Sequence, residues 1–149
     1  IKLSGMHPVF DCITLQWNVL GHVDTYEKRL ELLRDCVNVL SANGKICLDI
    51  NHRHNHTYGI IKVLFRIILD WFYPKFKRGD VVIEKKFDGI SVKAKGHLFT
   101  MKEIESLAFS SGLSVKKRSF IDYSTGEICN YFFQGQLFYV LVPLEQADD

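Results

Sequence analysis

Two apolar segments, each followed by polar residues, most constrain what this chain can fold into. They are residues 10–22 (FDCITLQWNVLGH) and residues 45–53 (KICLDINHR). Each predicts a buried β-strand, and a strand that is apolar on both faces is typical of the interior of a parallel sheet. Ligands of open α/β sheets bind at the carboxyl ends of the strands. The polar residues at those ends are therefore the first functional candidates: Gln16, Trp17, Asn18, His22, Asn51, His52 and Arg53.

A helix is predicted between the two strands. Asp24 and Glu27 have the spacing of a capping box, which predicts the start of the helix. Apolar residues then recur every three or four positions from Tyr26 to Leu40, and Asn43-Gly44 predicts the end. A strand, a helix and a strand in this order form a βαβ unit, so the strands should be parallel with a right-handed crossover.

Residues 58–73 predict a second, unusually apolar helix, and Pro74 and Gly79 predict its end. Lys62, Arg66 and Asp70 recur every four residues and form one narrow polar stripe. A helix this apolar must be covered over most of its circumference, as a buried cap or a dimer interface. A lid over an apolar substrate and a membrane-surface helix are the alternatives. Lys62 and Arg66 are few positive charges for the membrane role, so a membrane partner is not expected.

The remaining residues predict a hairpin, a helix and two closing strands. Asp88-Gly89 lies between the apolar segments 81–87 and 90–99 and is a strong hairpin signal. Thr100 and Glu103 form another capping box, and Gly112 predicts the end of that helix. Residues 113–123 and 136–142 predict the last two strands.

Size and composition limit the classes of function. The 149 residues are 47% hydrophobic, which suits one globular domain with a substantial core. The net charge of +2 comes from scattered residues, so nucleic acid is not expected as a partner. No signal peptide and no apolar run of ~20 residues is visible. The four cysteines lack paired metal spacing and predict reduced core thiols in a cytoplasmic protein.

The sequence His52-Arg53-His54-Asn55-His56 raises the question of a metal site. On an extended segment the three histidines would face one side. No Asp follows at the spacing of a hydrolytic metal motif, and no Cys joins the set. A polar loop on the substrate side is therefore preferred, and no metal is expected.

The order of these elements resembles the second half of a class I S-adenosylmethionine-dependent methyltransferase. The resemblance lies in FDCITLQWNVLGHV, LSANGKICLDINHR, GHLFTMKEIESLAFSSGL and GQLFYVLVP. It implies an α/β fold whose strands are the fourth to seventh of a Rossmann-like sheet, in the order 4-5-7-6 with an antiparallel last strand. Residues 1–149 would form the substrate-side half of that domain. Residues 58–99 would be an inserted helix and β-hairpin that cap the substrate.

A narrower resemblance is to small-molecule N-methyltransferases of the glycine N-methyltransferase kind. In that group the fourth strand starts with Phe-Asp and is followed by Asn and, four residues later, by His. Asp11, Asn18 and His22 match this spacing without a gap. The resemblance implies S-adenosyl-L-methionine as cofactor and methyl transfer to a small molecule at nitrogen.

The same resemblance implies roles for individual residues. The methionine end of the cofactor would lie against Gln16, Trp17, Asn18 and His22, and His22 would be catalytic. The implied substrate-binding residues are Asn18, Asn51, His52, Arg53 and Tyr58. A guanidinium can hold a carboxylate with two parallel hydrogen bonds, which makes Arg53 the candidate substrate anchor.

The first half of the family pattern is absent from this chain. No Gly-rich turn follows a first strand, and no acidic residue ends a second strand. The first predicted strand reads as a central strand, and an apolar strand with a free edge pairs readily with other chains. We therefore expect part of a longer protein, or a sheet completed by a second chain, a homodimer included. The alternative to an enzyme is a non-catalytic, methyltransferase-like interaction module.

Overall fold

The computed structural model describes residues 10–73, 75–87 and 90–144. The chain forms a five-stranded sheet, a separate two-stranded sheet and three α-helices. The strands are β1 (Phe10–Leu15), β2 (Leu40–Ile50), β3 (Asp80–Phe87), β4 (Ile90–His97), β5 (Leu113–Ile121), β6 (Ile128–Cys129) and β7 (Gln136–Pro143). The helices are α1 (Tyr26–Val39), α2 (Ile60–Phe72) and α3 (Met101–Ser110). Short 3-10 turns lie at Val19–His22, His56–Tyr58 and Phe76–Gly79.

The order of the main sheet is β1-β2-β7-β5-β6. β1 and β2 are parallel, and β7 lies antiparallel between β2 and β5. The predicted α/β fold with an antiparallel last strand inserted between its neighbours is confirmed. The short strand β6, which pairs with the end of β5, was not predicted because its two residues carry no periodic signal.

The core lies where α1 and α3 pack against the sheet. β2, β7 and β5 have partners on both sides, and the apolar residues of β2 and β7 are the most completely buried. This core consists mainly of Leu33, Cys36, Ile46, Leu48, Ile50, Ile104, Leu107, Tyr139 and Leu141. The apolar stripes predicted for α1 and α3 contribute Leu33, Ile104 and Leu107 to this core. Amphipathic periodicity therefore identified the buried faces of both helices correctly.

Both ends of α1 differ from the prediction. The N-cap is Thr25, whose hydroxyl accepts the Lys28 backbone N–H at 3.3 Å, whereas Asp24 forms an exposed pair with Lys28. The helix ends at Val39, well before Asn43-Gly44. Leu40 is buried and already pairs with Phe10 of β1, so packing against the sheet ends the helix before the Asn-Gly signal is reached.

The other local predictions are confirmed within the described residues. Thr100 and Glu103 form a reciprocal capping box at the start of α3. Gly112 follows the helix with a φ of 83°, as a left-handed terminator should. β3 and β4 pair antiparallel in unbroken register. The Asp88-Gly89 turn, Pro74 and the lead-in residues 1–8 lie outside the described residues.

Helix α2 is oriented with two members of its polar stripe toward the protein, whereas the third, Lys62, is exposed. Arg66 and Asp70 face the body of the chain beside Val63, the one residue of this helix that is buried. The opposite apolar side is exposed. The described residues therefore cover only the side of α2 that carries Arg66 and Asp70.

Strand β1 is at the edge of the main sheet, with β2 as its partner among the described residues. Phe10 and Cys12 are exposed, which corrects the prediction of a buried thiol at Cys12. The sequence of this strand predicts burial, but the described residues leave most of its side chains exposed. No helix among the described residues is long and apolar enough to cross a membrane.

Candidate functional site

The chain makes a left-handed turn directly after β1. Trp17 and Asn18 have φ angles of 61° and 54°, a conformation that residues other than glycine rarely adopt. The Asn18 backbone N–H donates to Asp49 Oδ1 (2.8 Å), and Asn18 Oδ1 accepts the Asn51 backbone N–H (3.1 Å). Asn18 Nδ2 donates to the His97 carbonyl (3.4 Å). The buried Asn18 thus ties β1 to the end of β2 and to the base of the hairpin.

This turn, residues 16–18, is called the strand-end turn below. It leaves the Trp17 side chain 81% exposed, while Gln16 is half-buried. Strained backbone of this kind concentrates at functional sites, because it persists only where the surroundings hold it in place. An exposed indole also offers a flat face to a cationic ligand. Gly21 lets the following turn pack closely, since a Cβ there would lie 2.3 Å from Asn18 Nδ2.

Two tyrosines add hydroxyl groups near the end of β2. Burial, reinforced by the Asp49 carboxylate, raises the pKa of Tyr123 above its ordinary value. Burial also raises the pKa of Tyr58, whose hydroxyl contacts the Gln136 side chain. The single proton of the Tyr123 hydroxyl is donated to the Asp49 carboxylate, so Tyr123 can only accept from a ligand. The Tyr58 hydroxyl accepts from the Gln136 amide and can donate its own proton to a ligand.

His22 lies beside the hairpin. Its Nδ1 is 3.1 Å from the Lys95 carbonyl oxygen, which can only accept, so Nδ1 carries the proton of this hydrogen bond. The imidazole is exposed and lines a cavity of about 490 Å³ together with Arg29 and Asp80. Nε2 is consequently the acceptor nitrogen of a neutral His22 ring.

Arg53 lies in a buried ion-pair network, with its side chain 3% exposed. Nε donates to the Leu98 carbonyl (3.1 Å), Nη1 to both Asp70 oxygens (3.2 Å) and Nη2 to Glu103 Oε2 (3.0 Å). Each nitrogen of the guanidinium therefore contacts a protein acceptor. A substrate carboxylate would have to displace one of these partners, and the predicted anchor role of Arg53 stays a prediction.

The network extends to both sides of Arg53. On the α2 side, Asp70 also accepts a hydrogen bond from His54 Nε2 (3.0 Å). On the hairpin side, the second oxygen of Glu103 contacts His97, whose other ring nitrogen is 2.7 Å from Asp80 Oδ1. Buried charges are tolerated when they are paired in this way. The network fixes α2, the hairpin and the start of α3 relative to one another.

Gly79 allows the hairpin to approach this network. A Cβ at this position would lie 2.3 Å from the Leu98 carbonyl oxygen and 2.4 Å from Arg53 Nη2. Neither atom has room to move, because both already take part in the hydrogen bonds of the network. The sequence predicted Gly79 only as the end of a helical segment.

A cavity of about 540 Å³ lies between α2 and α3. Ile67, Trp71, Met101 and Phe132 form apolar parts of its wall, and Arg53, Asp70 and Glu103 add the edge of the ion-pair network. This volume is within the range of small-molecule pockets. The cavity is on the α2 side of the ion-pair network. The Asn18 side chain of the strand-end turn donates to the carbonyl of His97, which belongs to the same network.

His52 is fully buried, with 0% exposure, and neither of its ring nitrogens makes a hydrogen bond. Its ring packs among His54, Phe120 and Phe132. Burial, assisted by repulsion from His54, lowers the pKa of His52 to about 4, although nearby backbone groups of Phe132 and Gly135 oppose the shift. His52 is therefore neutral at physiological pH and is not displayed toward a ligand.

The three alternating histidines do not face one side. The backbone turns at residues 53–54 and again in the 3-10 turn at His56–Tyr58, so the segment is not extended. His54 contacts Asp70, and His56 Nδ1 donates to the Phe133 carbonyl at 2.8 Å. Within the described residues no cluster of three or more metal-ligating side chains is found.

The structure brings some of the predicted residues together and separates others. Asn18 and Asn51 are joined by a hydrogen bond beside Trp17, whereas Arg53 and His52 are buried among protein groups. Sequence reasoning missed several polar residues that hold the site: Asp49, Asp70, His97, Glu103 and Tyr123. Glu103 carried a signal only as a capping residue, and Asp70 only as a member of the polar stripe of the second helix. Asp49, His97 and Tyr123 carried none, because their partners are distant in sequence.

Comparison with known proteins shows the fold. No family model and no curated protein matches this sequence. The chain is similar to the structure of a SAM-dependent methyltransferase from Methanosarcina mazei, with 17% identity, a TM-score of 0.64 and coverage of 95% of this chain and 63% of that one. It is also similar to the PH0226 protein of Pyrococcus horikoshii OT3 (17% identity, TM-score 0.60, 95% and 58%).

A third similar structure is an S-adenosylmethionine-dependent methyltransferase from Clostridium acetobutylicum (11% identity, TM-score 0.59, 93% and 60%). The chain thus spans about 60% of the length of these solved structures. At such identities the likeness concerns the fold, which is the Rossmann-like fold of class I methyltransferases.

Proposed function

We propose that this chain is the substrate-side part of an S-adenosylmethionine-dependent methyltransferase that acts on a small molecule at nitrogen. The observation that carries the proposal is the left-handed strand-end turn, held by Asp49 and Asn51 at the carboxyl ends of β1 and β2. In α/β sheets of this kind that edge is where ligands bind. Nitrogen as the acceptor atom rests on the sequence resemblance at Asp11, Asn18 and His22.

The residues at this edge suit the chemistry of the cofactor. When bound, S-adenosylmethionine supplies a methyl group on a cationic sulfur, which an in-line nucleophile displaces. The exposed face of Trp17 would attract such a cation. The Tyr58 hydroxyl would donate a hydrogen bond to a ligand, and the Nε2 atom of His22 would accept the proton that a methylated amine loses.

Alignment of the methyl donor with the methyl acceptor supplies much of the rate in such a displacement, so a strong base is not required. The cavity between α2 and α3 suits an acceptor with an apolar body, because its walls include Ile67, Trp71 and Phe132. A substrate carboxylate at Arg53 would compete with Asp70 for the guanidinium. A cytoplasmic location is part of this proposal.

The test is calorimetric titration of S-adenosylmethionine, which carries the cationic sulfur, into the 149-residue chain, with S-adenosylhomocysteine titrated in parallel. We expect one-to-one binding that Trp17→Ala weakens at least about tenfold, which corresponds to about 1.4 kcal/mol. Phe109 is 68% exposed on α3, so Phe109→Ala is the matched control and should bind as the parent does. Thermal melts would establish that all three proteins are folded. Absence of binding by the folded chain, or equal losses in the two variants, would contradict the proposed site.

The second candidate is a non-catalytic module that pairs with another chain. The free edge of β1 and the exposed side of α2 favour it, since both leave apolar surface uncovered by the described chain. Folded protein that binds no S-adenosylhomocysteine but forms a stable complex through β1 would support this module in place of the enzyme.

A further inference from the structure

The outward side of α2 is a continuous apolar surface. Ile61, Ile68 and Phe72 lie opposite the residues that face the protein, and Phe65 and Trp71 flank them. Ile61 is 85% exposed, Phe65 62% and Trp71 79%. Contiguous apolar surface of this kind marks an interaction site. This surface is called the outer face of α2 below, and the inference from it does not depend on methyl transfer.

The inner side of α2 fixes the helix in this orientation. Asp70 pairs with Arg53 and His54, and Arg66 stacks over the Tyr58 ring and donates to the Arg53 carbonyl. Rotating the helix to bury its apolar side would expose these groups and break the buried ion pairs. Exposure of the outer face is therefore a consequence of specific contacts.

The charges around the outer face are almost all positive. Residues 60–79 contain Lys62, Arg66, Lys75, Lys77 and Arg78 and a single carboxylate, Asp70. Lys62, Lys75 and Lys77 are exposed, whereas the Asp70 side chain is 10% exposed and is paired with arginines. The partner that fits this surface is thus apolar in its interior and negatively charged at its boundary.

A second copy of the chain fits this description poorly. A two-fold dimer uses the same patch on both subunits. Antiparallel contact of two α2 helices would place Lys62 of one copy beside Lys75 and Lys77 of the other. The carboxylate that could compensate them, Asp70, faces the body of each protein. An anionic phospholipid surface has no such repulsion.

The dimensions of α2 suit a helix that lies in the plane of a membrane surface. Its 13 residues are about 20 Å long at ~1.5 Å per residue, less than the ~30 Å of a bilayer core. Trp71 and Tyr73 are residue types that favour the boundary between lipid and water. Lysines at the border of an apolar helix face are typical of interfacial helices.

We propose that the outer face of α2 docks this protein onto anionic phospholipid membranes. The apolar side chains enter the boundary of the acyl chains, and Lys62, Lys75 and Lys77 contact the phosphate groups. The sequence-based expectation against a membrane considered only Lys62 and Arg66. The structure adds Lys75, which lines the same cavity wall as Trp71 of the outer face, and the exposed Lys77 two residues further along the chain.

The experiment is flotation of the whole chain with vesicles of phosphatidylcholine alone or of phosphatidylcholine and phosphatidylserine in equal parts. We expect binding to the anionic vesicles that decreases with added salt. In a Trp17→Phe background, the emission of Trp71 should shift to shorter wavelength on binding. Lys75→Glu combined with Lys77→Glu should weaken binding to anionic vesicles at least about fivefold, because each lysine near such a surface contributes measurably.

Ile61→Glu and Phe65→Glu are the direct variants of the outer face. Both side chains are exposed, so the substitutions should leave folding intact while abolishing flotation. Phe109→Glu is the matched control, because Phe109 is 68% exposed on α3 and should not affect vesicle binding.

Three results would overturn the proposal. One is absence of flotation with anionic vesicles by folded protein, and another is binding that Ile61→Glu and Phe109→Glu reduce equally. The third is a dimer in light scattering that Ile61→Glu dissociates while the parent shows no lipid binding, which would assign the outer face to a second copy.

Discussion

At the scale of single residues, the buried His52 stands out. A fully buried polar ring without hydrogen bonds is rare in folded proteins, since an unpaired buried group destabilises the native state. Burial among aromatic rings, assisted by repulsion from His54, explains why its pKa falls to about 4. The consequence concerns stability more than ligand binding, because no ring atom of His52 is accessible.

Stability should therefore decrease as the pH falls from about 6.5 toward about 4. In this window the unfolded chain binds a proton at His52 and the native chain does not, so protonation favours unfolding. The wild type should lose about 2 kcal/mol more than His52→Leu between about pH 7 and about pH 5. Urea unfolding at both pH values measures this difference, and parallel losses in the two proteins would contradict the assignment.

At the scale of elements, α2 inverts the usual arrangement of an amphipathic helix. Arg66 and Asp70 face the protein, and most of its apolar side chains face outward. The reason is electrostatic, because Asp70 is the shared partner of Arg53, His54 and Arg78. Removing it would leave the buried Arg53 with one carboxylate partner, Glu103.

Asp70→Asn should lower the free energy of unfolding by about 3 kcal/mol, as expected when a buried ion pair loses one partner. Asp24→Asn is the same chemical change in an exposed pair with Lys28 and should cost less than about 1 kcal/mol. Hydrogen exchange should also become faster in α2. Similar losses in the two variants would mean that Asp70 does not anchor the helix.

At the scale of the whole molecule, the described residues leave the main sheet open on its β1 side. β1 pairs with β2, and its exposed apolar residues lie along the edge of the sheet. Since the chain spans about 60% of the length of the similar solved structures, further strands from the same protein or from another chain would fit this edge. That completion remains our proposal.

The isolated 149-residue chain should associate through this edge as its concentration rises. Thr14→Lys places a charge on the exposed side of β1 and should reduce association, because edge lysines oppose strand pairing. Asn38→Lys adds the same charge on α1 and serves as the control. Sedimentation equilibrium over a range of concentrations would show the difference, and a strictly monomeric parent chain would refute the prediction.

The sequence by itself determined the elements and their order. Periodicity located the strands and helix faces, capping residues located the start of α3, and the resemblance supplied the sheet order that the structure confirms. These features depend on neighbours within a few residues, or on a pattern shared by a whole fold.

Only the tertiary structure decided how the side chains are used. The left-handed turn at Trp17 and Asn18 depends on Asp49 and Asn51, more than thirty positions away. Arg53 turns toward Asp70 and Glu103, and α2 therefore presents its apolar side outward. Periodicity distinguishes the apolar face of a helix from its polar face, but it does not say which of them packs against the protein. In α2 that choice depends on charges that folding brings together. Those long-range contacts leave no signal in a single sequence.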